Sequence, residues 1–149
     1  MTDAGIYVLI DELLEKECYI IDYLPETVAS NAEGQFWDVE YYLLNSRRSA
    51  WIRERFAAVI LKIMCYCHTA ALWNGWIDRP APELIDGAIA TIMENHSGTL
   101  NCVFPEENTL LVFDWDCLNL SVYHPSERMC RLLERIADSE GLFWRRSES

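Results

Sequence analysis

The sequence predicts an α+β fold: a single domain with an antiparallel sheet of about four to six strands and three to five helices packed mainly on one face. Three observations carry this. The 149 residues match one ordinary domain, and 51% of them are apolar, enough for a sizeable core. Stretches with apolar residues at helical spacing interleave with stretches that alternate. The clearest strands follow one another without an intervening helix, which suits hairpins rather than parallel crossovers.

Thr2 or Asp3 is placed to cap a first helix. Ile6, Ile10, Leu13 and Leu14 recur on one side of it and Asp11, Glu12 and Glu15 on the other, with an end near Glu17. The run "CYIIDYL" that follows is aromatic and β-branched and stops at Pro25, so it reads as a short strand or an extended link. Residues 29–34, "ASNAEG", are a polar loop. Residues 36–44, "FWDVEYYLL", fit a helix through Phe36, Val39 or Glu40, Leu43 and Leu44. Their aromatic density also suits a strand, and the helix is preferred.

Ser49 is positioned to cap a third helix with Ile52, Phe56, Val59, Ile60 and Ile63 inward and Arg53, Glu54 and Arg55 outward. Residues 64–73 show no helical stripe and read as a strand buried on both faces. "NGW" marks a turn. Pro80 and Pro82 open a helix with Leu84, Ile85, Ala88, Ile89, Ile92 and Met93 on its apolar side and stops at Asn95 and Gly98. Thr99–Phe104 and Thr109–Asp114 are strands around a turn at residues 105–108. After Trp115 and Asp116, residues 117–123 alternate Leu118, Leu120 and Val122 against Asn119, Ser121 and Tyr123. The last helix starts in the run His124-Pro125-Ser126-Glu127, faces Met129, Leu132, Leu133 and Ile136 inward, and ends at a left-handed Gly141, with a short strand at residues 142–144.

The formal charge is −12, in blocks. Residues 1–45 hold ten acids and one base, and residues 82–127 hold eight acids and no base. Between them, residues 46–81 hold six bases and two acids. Such a field repels phosphate backbones, so no nucleic-acid partner is expected, and Arg47, Arg48, Arg53 and Arg55 read as balance for the acidic parts. The N-terminal stretch has no basic leader pattern, and its run of five apolar residues from Ile6 is too short to span a bilayer. A cytoplasmic protein with no membrane partner and reduced, mostly buried cysteines is expected.

The segment "KIMCYCH" concentrates Cys65, Cys67 and His68. Zinc sites use thiol pairs two to four residues apart, whereas Cys65 and Cys67 are separated by one. On a strand the pleat would turn both thiols to one face and His68 to the other, so a core role is expected, with no metal and no cofactor. A Cys–His nucleophile needs an orienting third group that the sequence does not single out. Asp114 and Asp116 flank Trp115 at a hairpin tip. They could bind a cation, but aspartate is also an ordinary turn residue, and no calcium-loop pattern surrounds them. No phosphate-loop, dinucleotide, zincin or nucleophile-elbow motif occurs, which weighs against an enzyme.

The stretches "CYIIDYLPETV", "GQFWDVEYYLL" and "SVYHPSERMCRLLERIADSEGLFWRR" resemble small uncharacterised α+β proteins of gut Firmicutes. The resemblance implies a bacterial cytosolic origin and carries over no activity, cofactor or site residue.

The expected function is a non-enzymatic acidic protein-interaction domain, like bacterial immunity proteins in composition only. The expected partner is another protein of basic character, or a second copy in a homo-oligomer. Exposed aromatics such as Trp37, Tyr41, Trp73, Trp76 and Trp115 would supply contacts. Trp115, Asp114 and Asp116 are the candidate partner-binding residues, with ordinary packing the simpler role for Trp115. The alternatives are a small-ligand-binding module, or a hydrolase or transferase with an unrecognised site.

Overall fold

Every strand among the described residues pairs antiparallel, and all belong to one sheet. The computed structural model describes residues 3–115 and 118–147. In chain order the elements are α1 (Asp3–Leu13), β1 (Cys18–Asp22), α2 (Phe36–Asn45), α3 (Ser49–Met64), β2 (Ala70–Leu72), β3 (Trp76–Asp78), α4 (Pro82–Asn95), β4 (Thr99–Phe104), β5 (Thr109–Asp114), β6 (Asn119–Tyr123), α5 (Glu127–Ser139) and β7 (Phe143–Arg146). The strand order is β3-β2-β4-β5-β6-β1-β7. The α+β expectation holds, with seven strands where four to six were expected. The extra one is β3, three residues caught between the Asn74–Gly75 turn and Pro80, too short to show alternation.

The middle of the chain departs from expectation. Residues 64–73 are not one strand. With no glycine or proline to stop it, α3 runs to Met64, and the Ile63 carbonyl still accepts from Tyr66 N and Cys67 N at 3.0 and 3.2 Å. Only Ala70–Leu72 pairs in the sheet. The cap expected of Ser49 is also absent. Arg48 occupies that position with no side-chain bond, and Ser46 Oγ instead accepts from Arg48 N at 3.2 Å. The capping role expected of Thr2 or Asp3 falls outside the described side chains.

The core is set by period-two alternation in the central strands. Leu100, Cys102, Phe104, Leu111, Phe113, Leu118, Leu120 and Val122 point to one face, where they meet α3, α4 and α5 through Ile52, Phe56, Ile60, Ile89, Met129 and Leu133. Val103, Leu110 and Val112 point to the other face, where α1 covers them with Ile6, Ile10 and Leu13. Burying each such side chain contributes about 1.5–3 kcal/mol. Strand β5 is therefore buried on both faces, while β6 alternates as the sequence predicted.

Two polar devices finish the helical layer. Ser126 caps α5, its Oγ accepting from Met129 N at 3.2 Å. At the other end Gly141 adopts φ 72°, Leu142 N donates to Ala137 O at 2.8 Å and Gly141 N to Asp138 O at 3.1 Å, the paired bonds of a Schellman ending. Glu140, buried there, accepts from Arg55 at 3.3 Å and pairs with Lys62, which ties α5 to α3.

Two outcomes follow for stability. Leu120→Asp places an unpaired carboxylate where Leu120 is wholly buried, and urea unfolding should show a loss on the order of 3–5 kcal/mol. A variant that melts with the wild type would mean that the β6 face is misassigned. Ser126→Ala removes the α5 cap and should cost about 1 kcal/mol in the same assay.

Candidate functional site

One end of the sheet gathers the residues with surface chemistry. At this end Asp22 closes β1 opposite Asn119, and Asp114 closes β5 opposite Thr99. Helix α4 also ends here, its chain reversed by His96 in the left-handed region at φ 51°. The carboxylate of Asp114 accepts from Thr99 Oγ1, so it is tethered across the strand pair. Trp115 follows and is 47% exposed, with one edge of its ring against His96 at a centroid distance of 6.5 Å. Of the three expected partner-binding residues, Asp114 and Trp115 thus stand at this end, and Asp116 lies outside the described residues.

Helix α2 borders the same end and is the odd element of the fold, because it has no fully buried residue. Its inward stripe is Phe36, Glu40, Leu43 and Leu44, all half-buried, at spacing i, i+4, i+7 and i+8. Leu43 and Leu44 pack on the core. Its outward side shows Trp37 at 76% exposure, Tyr41 at 70% and Tyr42 at 59%. Phe36 and Trp37 meet edge to face at 5.1 Å. On the next element Trp51 is also exposed, with the Arg55 guanidinium 5.5 Å from its ring centre.

Sequence reasoning missed Glu40 and Tyr23. Glu40 occupies a position where the helical pattern calls for an apolar side chain, and that mismatch was the available signal. The inward turn of α2 brings it to Asp22 and Tyr23. Together with Phe36, Trp37, Leu118 and Asn119 these line a cavity of about 230 Å³. Burial, then the charge of Asp22, raises the Glu40 carboxyl above its ordinary 4.5. Burial, then Glu40 and Asp22, pushes the Tyr23 phenol up to about 12. Tyr23 Oη is buried with no hydrogen-bond partner among the described residues. Asp22 is already satisfied: it accepts from Arg145 at 2.8 Å and from Tyr23 N at 2.8 Å, and Arg145 also donates to Thr27 at 2.7 Å.

No family model, curated protein or solved structure matches the chain.

The "KIMCYCH" segment forms a second, open cleft of about 470 Å³, lined by Cys65, Cys67, His68, Arg79 and Glu106 among others. The pleat expected to separate Cys67 from His68 does not exist there, because the segment is a helix end and a turn. The two side chains line one cleft but do not act on each other. Cys67 Sγ contacts Met129 Sδ at 3.4 Å and Arg128 at 3.8 Å, and burial raises its pKa despite the nearby guanidinium. A nucleophilic thiol requires the opposite shift. His68 is held by Asp78 at 2.6 Å and Glu106 at 3.5 Å, one on each ring nitrogen. Among the described residues no group of three or more His, Cys, Asp and Glu side chains is arranged to hold a metal ion. Cys102 is wholly buried, and burial pushes its thiol up to about 12, as suits a core residue.

Beside this cleft Glu107 accepts from Ser126 at 2.8 Å and from Arg128 at 2.7 Å, and these bonds hold its carboxyl below 4.5. A depressed folded-state pKa contributes stability above the unfolded value that is lost as pH falls through the folded one. Glu107→Gln should therefore be less stable than wild type at neutral pH, and the gap should close in acid-unfolding curves below the carboxylate range.

Proposed function

We propose that this chain is a non-enzymatic protein-binding domain that docks a basic partner protein at the acidic, aromatic end of its sheet. The observation that carries the reading is α2, a helix with no fully buried residue that turns Trp37, Tyr41 and Tyr42 to solvent. Exposed tryptophan and tyrosine on a rigid element are the side chains that dominate interface energetics. Large exposed apolar groups gathered in one place call for a partner, whereas scattered ones do not.

Charge supports the same reading. Each acidic block contributes to this end, Asp22 and Glu40 from the first and Asp114 from the second. A shared negative field steers a basic surface toward the aromatics and repels nucleic acid. The reading includes a reducing, cytoplasmic setting, which the free Cys18, Cys65, Cys67, Cys102 and Cys130 suit.

Affinity capture at low and moderate salt tests it, with wild type, Trp37→Ala and Trp115→Ala. Salt should weaken capture, because exposed charges are screened beyond about 10 Å at 0.1 M. Truncating Trp37 should reduce affinity about 30-fold, the scale of a hot-spot residue. Trp115→Ala should have the smaller effect, since His96 already holds part of its ring. Capture indifferent to salt and to both substitutions would overturn the assignment.

A further inference from the structure

Glu40 is a charge in the wrong place. It stands on the inward stripe of α2, half-buried, and faces a second carboxylate rather than a cation. The other buried or half-buried carboxylates among the described residues have a bonding partner, Asp114 through the Thr99 hydroxyl alone and the rest through cations. Asp22 has Arg145, Glu140 has Arg55 and Lys62, and Glu107 has Arg128 and Ser126. Glu40 has no ion-pair partner among the described residues. Half-burial beside a like charge disfavours its charged form, and no bond among the described residues of the free protein offsets that.

The surroundings of Glu40 indicate what would match it. The cavity it lines has aromatic walls from Phe36, Trp37 and Tyr23 and a second polar wall from Asn119. Its volume, about 230 Å³, falls below the roughly 300–1,000 Å³ typical of sites that enclose a whole small-molecule ligand. One side chain fits that size better than a free metabolite does. An aromatic face beside an unpaired carboxylate is the complement of an organic cation. The planar guanidinium suits both walls, because it stacks on an indole and meets a carboxylate with parallel N–H bonds, which a compact ammonium does not.

We propose that the cavity formed by Tyr23, Phe36, Trp37 and Glu40 is the seat for one arginine side chain of the partner protein. This rests on the protein-binding reading above and adds the anchor residue on the other side. Bound there, the guanidinium supplies the missing counter-charge of Glu40 and covers the most exposed ring on α2. The site's unfavourable electrostatics in the free protein then become a preference for a cationic partner.

The test uses the intact protein and N-acetylarginine amide as probe, followed through the Trp37 indole N–H resonance. The neutral isostere N-acetylcitrulline amide and N-acetyllysine amide are controls. A saturable shift with the arginine probe is expected, about tenfold weaker with lysine and in Glu40→Gln, and absent with citrulline. Folding is checked independently. A carboxyl whose folded-state pKa is raised loses stability as pH rises past 4.5, so Glu40→Gln should melt at or above wild type at neutral pH while binding less well. A residue with only a structural role would not give that opposite pair. No shift in wild type, equal shifts with citrulline or lysine, or unchanged binding in Glu40→Gln would each overturn the arginine seat. If salt-sensitive capture of a partner survives that failure, the protein-binding surface stands and only the seat is lost. A homodimer in sedimentation that Trp37→Ala abolishes would overturn both, because a second copy would be the occupant.

Discussion

Burial of β5 on both faces is the constraint on which the rest of the structure depends. Leu110, Leu111, Val112 and Phe113 leave this strand no solvent-facing side, so the sheet needs two covering layers. Helices α3, α4 and α5 supply one. Helix α1 supplies the other, but it is 11 residues long and its cluster, centred on β4 and β5, reaches Leu72 and Trp76 on one side and Tyr123 on the other. Beyond its reach the second face carries Ser121, Asn119 and Asp22 rather than a continuous apolar surface. Four helices thus bury residues completely in the core, and α2 adds only the half-buried Leu43 and Leu44. The fifth, α2, rests on the flank of α3 with its aromatic side uncovered.

Buried polar groups follow the same economy. Each deeply placed carboxylate closes a join between elements that are distant in sequence. Asp22 and Arg145 fasten β7 to β1 and hold the loop that carries Thr27. Glu140 fastens the end of α5 to α3. In these joins the desolvation of both ions is offset by short, charge-assisted bonds. Against that background Glu40 stands apart, since the charge that acts on it, Asp22, repels it. The contrast separates a group that holds the fold together from one that the fold only presents.

Much of the fold was legible because local and tertiary signals agree. In the last third of the chain the hydrophobic period changes at the punctuating residues, from two in β6 to 3.6 in α5. Asn108, at φ 53°, and Gly141 reverse the chain where turn residues were read. Residues 64–73 were misread for lack of such punctuation. Cysteine and tyrosine look β-prone in isolation, yet with no breaker after Ile63 the helix hydrogen bonds continue to the first unpaired turn, and only three residues remain for the sheet. Strand β3 was missed for a related reason. Three residues cannot display a period, and β3 exists because β2 offers it an edge.

At the candidate site, Trp37, Tyr41, Trp115 and Asp114 were visible as residue types. By itself the sequence determined the α+β class, the strands from Thr99 onward, the helical faces and the two acidic blocks, because these depend on spacing along the chain. Only the tertiary structure decided that Asp22, Glu40 and Asp114 stand at one end of the sheet, that Trp115 leans on His96, and that Cys67 and His68 share a cleft without acting on each other. It also decided the environment of Glu40. Its place in the helical stripe could be read, but Asp22 and Tyr23 reach it only through the return of α2 past the end of β1. Desolvation and repulsion depend on distance in space, and no spacing along the chain encodes that distance.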